Sequence, residues 1–552
     1  MSERHFAFWP RGVPHHLTTP DVALVHNALV AAQRYPDKPY LVFYDTRIGF
    51  ARFLDEVERL AGWLERQAGV RRGDRVLLYL QNSPQFVIGY YAILRANAVV
   101  VPINPMNLEE ELRHCVRDSG ARVAIVAQEL YPRVRPLLGD PLARVLVATY
   151  SDYLETQTDL AVPDFVAAPR ADIDDSRATA WHSAMTANLR PGALAVGPDD
   201  LCVMPYTSGT TGRPKGCMHT HRSAQFTAIA GLQWFGLTQD ATVLAVLPFF
   251  HVTGMQGSMN GPLFIGATVV LLPRWDRAVA ARLIERYRVS AWTAIPTMVV
   301  DFLSQPGLSR ASLASIDRMS GGGAAMPEAV AARLQELCGI EYVEGYGLTE
   351  TMAPSHINPP QRPKRQCLGI PIFDTDARVV DVDTMRELSA GEVGEIVVDG
   401  PQVFHGYWGN EAATREAFVE IDGRRFLRTG DLGRTDEDGY FFLVDRLKRM
   451  INASGFKVWP AEVEAMLYAH PAIQEACVIA AQDAYRGETV KAIVVLRDAA
   501  RGKVAGEEIA DWARAKMAAY KVPRIVEFVD ALPKSATGKI LWRALQEAER
   551  GA

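Results

Sequence analysis

The sequence predicts an α/β protein with parallel sheets in its first two-thirds, then a small β-rich unit, then a compact α+β tail. Three observations carry this. Short apolar runs alternate with helical stretches as far as Ala294, and such alternation implies parallel sheets covered by helices. After Gly369 the texture changes to short strands and turns. From Lys448 onward helices and strands follow one another closely. At 552 residues the chain is too long for a single core, so several folding units are expected.

Taken in order, Arg75–Leu80 reads as a strand, Pro84–Asn97 as a helix and Ala98–Pro102 as a second strand. Asn107 reads as an N-cap, because Glu109, Glu110 and Glu111 then fall in the first turn, where carboxylates suit the helix dipole. Arg122–Ala127 is a further strand. Residues 150–198 carry few long apolar runs and read as an irregular connection. The alternation returns at Thr242–Leu247, Thr268–Leu272, Ala278–Tyr287 and Ser290–Ala294. Short strands follow at Ala377–Val382 and Gly394–Val398, with a charged turn at Asp436-Glu437-Asp438-Gly439. The tail reads as helix Pro460–His470, strands Gln474–Ala480 and Val490–Leu496, helix Glu507–Tyr520 and strand Ile525–Val529.

Composition excludes several classes of function. Net charge is −5, with acidic and basic residues well mixed, so no basic tract argues for nucleic acid. The segment Ala241–Pro273 holds no Asp, Glu, Lys or Arg, which invites a membrane reading. Pro248, Pro262, His251, Gln256 and Asn260 break it, so it reads as strand, loop, helix and strand inside a soluble protein. Six scattered cysteines without a C-x-x-C point to a reduced, cytoplasmic protein. Cys217, His219 and His221 lie at i, i+2, i+4, but strand or helix-entry packing is the stronger reading than metal ligation. Met1–His16 lacks an apolar core of signal-peptide length.

The most informative stretch is Tyr206-Thr207-Ser208-Gly209-Thr210-Thr211-Gly212-Arg213-Pro214-Lys215-Gly216. Gly, Ser and Thr let the backbone bend around a ligand and offer N–H and hydroxyl donors, and Lys215 adds a positive charge. That mixture suits the oxygens of a polyphosphate. No reading frame gives the G-x-x-x-x-G-K-[ST] nucleotide loop. The stretch resembles the phosphate loop of the adenylate-forming superfamily, which holds acyl-CoA synthetases, luciferases and peptide-synthetase adenylation domains.

Further segments match that superfamily in order and spacing, over roughly residues 20–545. In Gly345-Tyr346-Gly347-Leu348-Thr349-Glu350 the resemblance implies that Tyr346 stacks on adenine between Gly345 and Gly347. It further implies that Thr349 donates to the α-phosphate and that Glu350, with Thr210, holds Mg²⁺. Glu344 stands where relatives often carry Gln or Asn, which leaves the adenine-edge contact open. Thr429-Gly430-Asp431 resembles the motif whose Asp binds the ribose hydroxyls. In Asp445-Arg446-Leu447-Lys448, Arg446 would reach ribose or phosphates and Lys448 would be a pivot. Leu532-Pro533-Lys534-Ser535-Ala536-Thr537-Gly538-Lys539 resembles the motif whose last lysine meets the carboxylate and the α-phosphate.

Leu247-Pro248-Phe249-Phe250-His251-Val252-Thr253-Gly254 resembles the acyl-side motif, with His251 beside the substrate carboxylate, although a lone His in apolar sequence is more often a packed core residue. Met255, in place of the Trp of some long-chain enzymes, is expected to line the acyl pocket with Ala294, Ile295, Thr297, Gly321, Gly322 and Gly323. Gly322 is also placed at the nucleotide. The Gly455 loop in Ser454-Gly455-Phe456-Lys457-Val458-Trp459-Pro460 would border the pantetheine of CoA, and this pattern resembles acyl-CoA synthetases more than peptide-synthetase domains.

The resemblance implies a large N-terminal domain, 1–447, of two parallel-sheet α/β subdomains plus a small β-barrel, and a mobile α+β C-terminal domain, 448–552. It implies an ATP-dependent carboxylate–CoA ligase using ATP, Mg²⁺ and coenzyme A, with the lysine-bearing domain swinging about Lys448 between steps. The charge-free acyl segment favours a medium- to long-chain fatty acid. An aryl acid, a carrier-protein acceptor, a luciferase-like oxygenase and a non-catalytic scaffold are the alternatives. With thirteen residues after Lys539 a carrier domain is not expected here. A second copy of the chain is the one protein partner allowed for.

Overall fold

The computed structural model describes residues 4–207, 214–323, 325–453, 456–483, 487–534 and 540–551. Of the candidate residues, Ser208, Gly209, Thr210, Thr211, Gly212, Gly455 and Lys539 lie outside the described residues, as does the side chain of Lys448. The chain forms two compact units. The first comprises residues 1–377, 398–427 and 438–440, the second 378–397, 428–437 and 441–552.

The first unit is mixed α/β, as its strand–helix alternation predicts. Its larger sheet runs Ile370–Pro371, His356–Ile357, Tyr342–Tyr346, Arg318–Gly321, Ala291–Thr293, Thr242–Ala245, Thr268–Leu271, Pro39–Phe43, Thr46–Gly49. The six central strands are parallel, and antiparallel strands close both edges. A second sheet of seven strands has Arg75–Tyr79 between Val99–Pro102 and Val123–Ala127, all parallel. These strands are near-continuous apolar runs because helices cover both faces of a parallel sheet. The helix Pro84–Arg95 is buried along almost its whole length. Its start is set by Pro84 at the first turn and by Ser83, whose hydroxyl accepts the Phe86 N–H at 3.1 Å.

Several expectations need correction. The helix expected from Asn107 runs Glu109–Ser119 with Leu108 as its N-cap. The Asn107 carbonyl is taken by the Tyr79 hydroxyl and Arg133, and Glu111 reaches back to the Leu108 N–H at 2.9 Å. Residues 150–198 are not wholly irregular, since Ala178–Ala180 adds an edge strand to the second sheet. The charge-free segment becomes strand Thr242–Ala245, short helical turns from Val252 to Ile265, and strand Thr268–Leu271. No described helix is long and apolar enough to cross a membrane.

In the second unit, Ile451–Ala453, Phe456–Val458, Ile473–Asp483, Gly487–Leu496 and Ile525–Phe528 form one sheet. Period-two alternation buries both of its faces. Ala476, Val478 and Ala480 point into one cluster with helices Pro460–Leu467 and Gly506–Arg514, and Cys477 and Ile479 point into another with Leu532. The helix expected over Glu507–Tyr520 stops at Arg514, and the Lys516 and Met517 N–H groups turn back to Ala513. Residues 431–435 pair antiparallel with Phe441–Arg446 across the expected 436–439 turn.

Candidate active site

Parallel strands gather loops at their carboxyl ends, and ligands bind where neighbouring connections leave in opposite directions. Thr242–Ala245 is such a point, with Thr268–Leu271 on one side and Ala291–Thr293 on the other. From these ends depart the segments carrying His251, Ile295 and Thr297, and the neighbouring strand ends bring Gly322, Tyr346 and Gly347.

His251 is exposed, not packed in the core. Its Nδ1 accepts the Thr253 N–H at 3.3 Å, capping the turn Val252–Met255. The expected pocket lining divides. Met255 and Ala294 are closed into the core, with the Met255 sulfur 3.7 Å from the Tyr90 hydroxyl. Ile295 is half-buried and Thr297 exposed. Gly257, which sequence reasoning did not single out, is exposed although Met255, Gln256, Ser258, Met259 and Asn260 around it are buried. A Cβ on Gly257 would lie 3.4 Å from Thr293 Oγ1, in van der Waals contact, so the exposed glycine abuts Thr293. The buried side of this segment is pinned by polar bonds: Asn260 donates to Gln256 at 2.7 Å, Gln256 to Thr227 at 2.9 Å, and the Tyr91 hydroxyl to Asn260 at 2.8 Å.

Small residues at 321 and 322 serve close packing. A Cβ on Gly321 would sit 1.8 Å from the Ala294 carbonyl oxygen, and one on Gly322 would sit 2.3 Å from the Gly345 carbonyl oxygen. Glu344 is buried and its carboxylate is occupied: it accepts N–H groups of Met326 at 2.9 Å and Cys367 at 3.0 Å. Burial raises its pKa and these bonds oppose the rise. The residue therefore ties two loops to the strand bearing Tyr346. Tyr346 itself pairs with His356 across the edge strand, ring centroids 5.7 Å apart.

The phosphate-loop candidates are flanked by a short hairpin in which Thr207 opposes Lys215. The Tyr206 hydroxyl bonds Asp118 at 2.6 Å, and the His114 Nε2–H donates to the Pro214 carbonyl at 2.8 Å, so helix Glu109–Ser119 anchors both arms. The next residues are laced to a segment that sequence reasoning missed. The Met218 N–H donates to Gly406, the His405 N–H to Met218, and the Trp408 N–H to Gly216. The Phe404 N–H donates to the Glu350 carbonyl at 2.9 Å, and His219 Nε2–H to the Thr349 carbonyl at 2.8 Å. Tyr407 lies in this segment. Its hydroxyl donates to Glu350 Oε1 at 2.7 Å, and the Lys215 ammonium lies 4.0 Å from its ring centroid. The pattern Gly406-Tyr407-Trp408, with glycine allowing close backbone approach before two large aromatics, was the available signal.

His219, His221 and His356 are buried, and burial lowers their pKa values to about 4, about 4 and about 3. The Cys217-x-His219-x-His221 run thus belongs to packing: His219 bonds Thr349, and His221 Nδ1 accepts the Leu24 N–H. Because the unfolded chain binds these protons first, stability is full above about pH 6.5 and falls as the pH drops toward 4. Glu129, pushed up to about 7 by burial, acts in the opposite sense, as do the raised carboxyls of Glu344 and Asp445. A net loss of stability on acidification from pH 7 to pH 5 is the expected outcome. Thermal unfolding between pH 7 and pH 5 checks this, and a Tm that holds or rises on acidification contradicts it.

In the second unit, Asp431 and Arg446 are register partners, with Arg446 Nε 2.9 Å from Asp431 Oδ1. The carboxylate is buried and the guanidinium is half-exposed, so a buried acid lies beside a partly solvent-facing base. Asp445 fixes the neighbouring segment: its oxygens accept the N–H groups of Arg446 and Ala461, each at 2.6 Å, capping helix Pro460–Leu467. Arg449 joins Asp445 to Glu464 on that helix. The segment 445–449 is thereby bolted to the helix that follows it.

The signature of the AMP-binding enzyme family matches residues 29–408, and that of the AMP-binding enzyme C-terminal domain matches 462–539. A long-chain-fatty-acid–CoA ligase of Bacillus subtilis is 36% identical over 98% of this chain and 97% of its own length. A feruloyl-CoA synthase of an Amycolatopsis species is 36% identical over 90% of this chain and 93% of its own. Among solved structures, ATP-bound MatB from Rhodopseudomonas palustris superposes with a TM-score of 0.83 at 26% identity, covering 96% of this chain and 99% of that one. An anthranilate CoA ligase in complex with anthranoyl-AMP gives 0.81 at 27% identity, covering 98% of each chain. The chain belongs to the AMP-binding enzyme family, as an AMP-forming acyl-CoA synthetase that uses ATP, Mg²⁺ and CoA.

Proposed function

We propose that the protein activates a medium- to long-chain fatty acid as its acyl-CoA thioester. The observation that carries the choice of acid is Gly257, exposed beside Thr293 within a segment that has no charged side chain from Ala241 to Pro273. An acid with a polar or charged tail would find no countercharge there, and an apolar chain loses nothing by entering. The 36% identity to a long-chain-fatty-acid–CoA ligase supports the same reading. An aryl acid is the second reading, favoured by the equal identity to a feruloyl-CoA synthase.

In the proposed chemistry a carboxylate oxygen attacks the α-phosphorus of ATP in line, the bond to the pyrophosphate oxygen breaks, and acyl-AMP remains. The CoA sulfur then bonds the acyl carbon, the carbon–oxygen bond to AMP breaks, and the thiol proton leaves to solvent. The protein's part is positioning and charge stabilisation. In this reading the loop Thr207–Lys215 cradles phosphates, Thr349 donates to the α-phosphate, and Tyr346 with Gly322 and Gly347 receives adenine. Asp431 holds the ribose once Arg446 yields, and His251 borders the carboxylate. Lys539 meets the reacting oxygens, Lys448 is the pivot between domains 1–447 and 448–552, and Gly455 borders pantetheine. Glu350 suits Mg²⁺: it is a hard carboxylate whose Oε1 is held by Tyr407 and whose Oε2 has no partner among the described residues. When bound with Thr210 and Glu350, the ion neutralises phosphate charge. The enzyme is read as cytoplasmic, alone or as a homodimer.

CoA-dependent AMP formation across C2–C18 aliphatic and aryl acids tests the substrate. Activity should peak between C8 and C16, and Gly257→Leu should lower activity on C16 at least about tenfold relative to C6, since each methylene carries ~1–3 kcal/mol. A peak on aryl acids would replace the substrate and keep the reaction.

A further inference from the structure

We propose that Tyr407 is a positioning residue that keeps the phosphate-binding cation and the metal-binding carboxylate of this site apart and separately available. The inference rests on the reading of Lys215 and Glu350 given above. Opposite charges on neighbouring segments would ordinarily collapse into an ion pair, leaving neither free for MgATP. Here no ion pair joins Lys215 to Glu350, although both lie against one side chain. The Tyr407 hydroxyl engages Glu350 Oε1 at 2.7 Å, and its ring face engages the Lys215 ammonium at 4.0 Å.

The two contacts differ in kind, and each leaves capacity for a ligand. One hydrogen bond orients a carboxylate and leaves its second oxygen open. A cation over an aromatic face is held weakly, by about 0.5–2 kcal/mol, and keeps its N–H donors for oxygen acceptors. The phenol O–H faces a carboxylate oxygen, which accepts, so the hydroxyl is the donor of this bond. The ring is itself fixed. Phe404 packs on it edge-to-face at 4.9 Å, Cys217 and Leu427 complete its apolar cluster, and its N–H donates to Thr414 Oγ1 at 2.9 Å. The backbone bridge between Cys217 and Tyr407 sets its height against the strand that carries Lys215.

The test uses the full-length protein and calorimetric binding of α,β-methylene-ATP, with and without Mg²⁺, so that it reads affinity and not turnover. In the wild type Mg²⁺ should tighten binding. Glu350→Gln should abolish that tightening. Tyr407→Phe keeps the ring and loses the hydroxyl, so it should reduce the Mg²⁺-dependent gain about tenfold and leave metal-free binding unchanged. Tyr407→Leu should lower metal-free binding as well, because Lys215 then pairs with Glu350. If Glu350→Gln removes the Mg²⁺ effect and Tyr407→Phe does not alter it, the positioning role is overturned and the metal assignment stands. If Glu350→Gln has no effect, the metal assignment fails and this inference falls with it. Tyr407→Phe is conservative enough to decide the matter should Tyr407→Leu fail to fold.

Discussion

Replacement of Lys539 by alanine is expected to slow acyl-adenylate formation by about 10²–10³ while largely sparing the conversion of supplied acyl-AMP to acyl-CoA. The asymmetry follows from where negative charge builds. A carboxylate approaching the α-phosphate brings two anions together, and a preorganised ammonium lowers that barrier. In the second half-reaction a thiol attacks an already activated carbonyl and the same cation has no such task. The motif that carries Lys539 is tied down at both ends: Lys534 and Ile540 form an antiparallel bridge, the Leu541 N–H donates to the Pro533 carbonyl at 2.8 Å, and Leu532 is buried beneath the sheet. Pyrophosphate exchange reads the first step, and CoA consumption from synthetic acyl-AMP reads the second. Equal losses in both would refute the assignment of Lys539 to one pose of a two-pose cycle.

Gly321→Ala should destabilise the first unit by about 3 kcal/mol or more, which is beyond the usual range for one added methyl group. The new Cβ would sit 1.8 Å from the Ala294 carbonyl oxygen and 2.3 Å from the Tyr342 hydroxyl. Neither neighbour can yield cheaply. The first is backbone, and the second donates to that same carbonyl at 2.6 Å, within the buried join of adjacent parallel strands. Accommodation must separate strand ends that carry Ile295 and Gly322. Chemical denaturation measures the loss, with Gly231→Ala as the control. Gly231 lies inside a helix with nothing within 4 Å of its would-be Cβ, so that change should be neutral or slightly stabilising. Similar stabilities for the two variants would contradict the packing argument.

Much of the fold is legible in the sequence because parallel strands buried on both faces must be short apolar runs. Arg75–Tyr79, Thr242–Ala245 and Ile525–Phe528 all fall within a residue or two of the expected spans. Ends were less legible, because they depend on long-range partners. Nothing near Asn107 announces that Tyr79 and Arg133 will claim its carbonyl. The chemistry-bearing residues are readable where they cluster in motifs, as at 345–350. Residues that act by touching others are not: Tyr407 meets Glu350 across 57 positions of chain, and Glu344 meets Cys367 across 23. The glycines at 321 and 322 carry a meaning hidden from the sequence, since the space a Cβ would take is already filled by carbonyl oxygens and packing itself requires glycine there.

The larger sheet has a consequence for how the chain is made. Pro39 and Thr268, whose strands lie side by side, are 229 residues apart, and the Thr268 hydroxyl bonds the Pro39 carbonyl. A ribosome adding ~5–20 residues per second delivers the second strand about 10–45 s after the first. Throughout that interval the apolar ribbon Pro39–Gly49 has an open edge able to pair with any other nascent chain. Yield in cells should therefore respond to elongation rate and to chaperone supply more strongly than the stability of the finished protein would indicate.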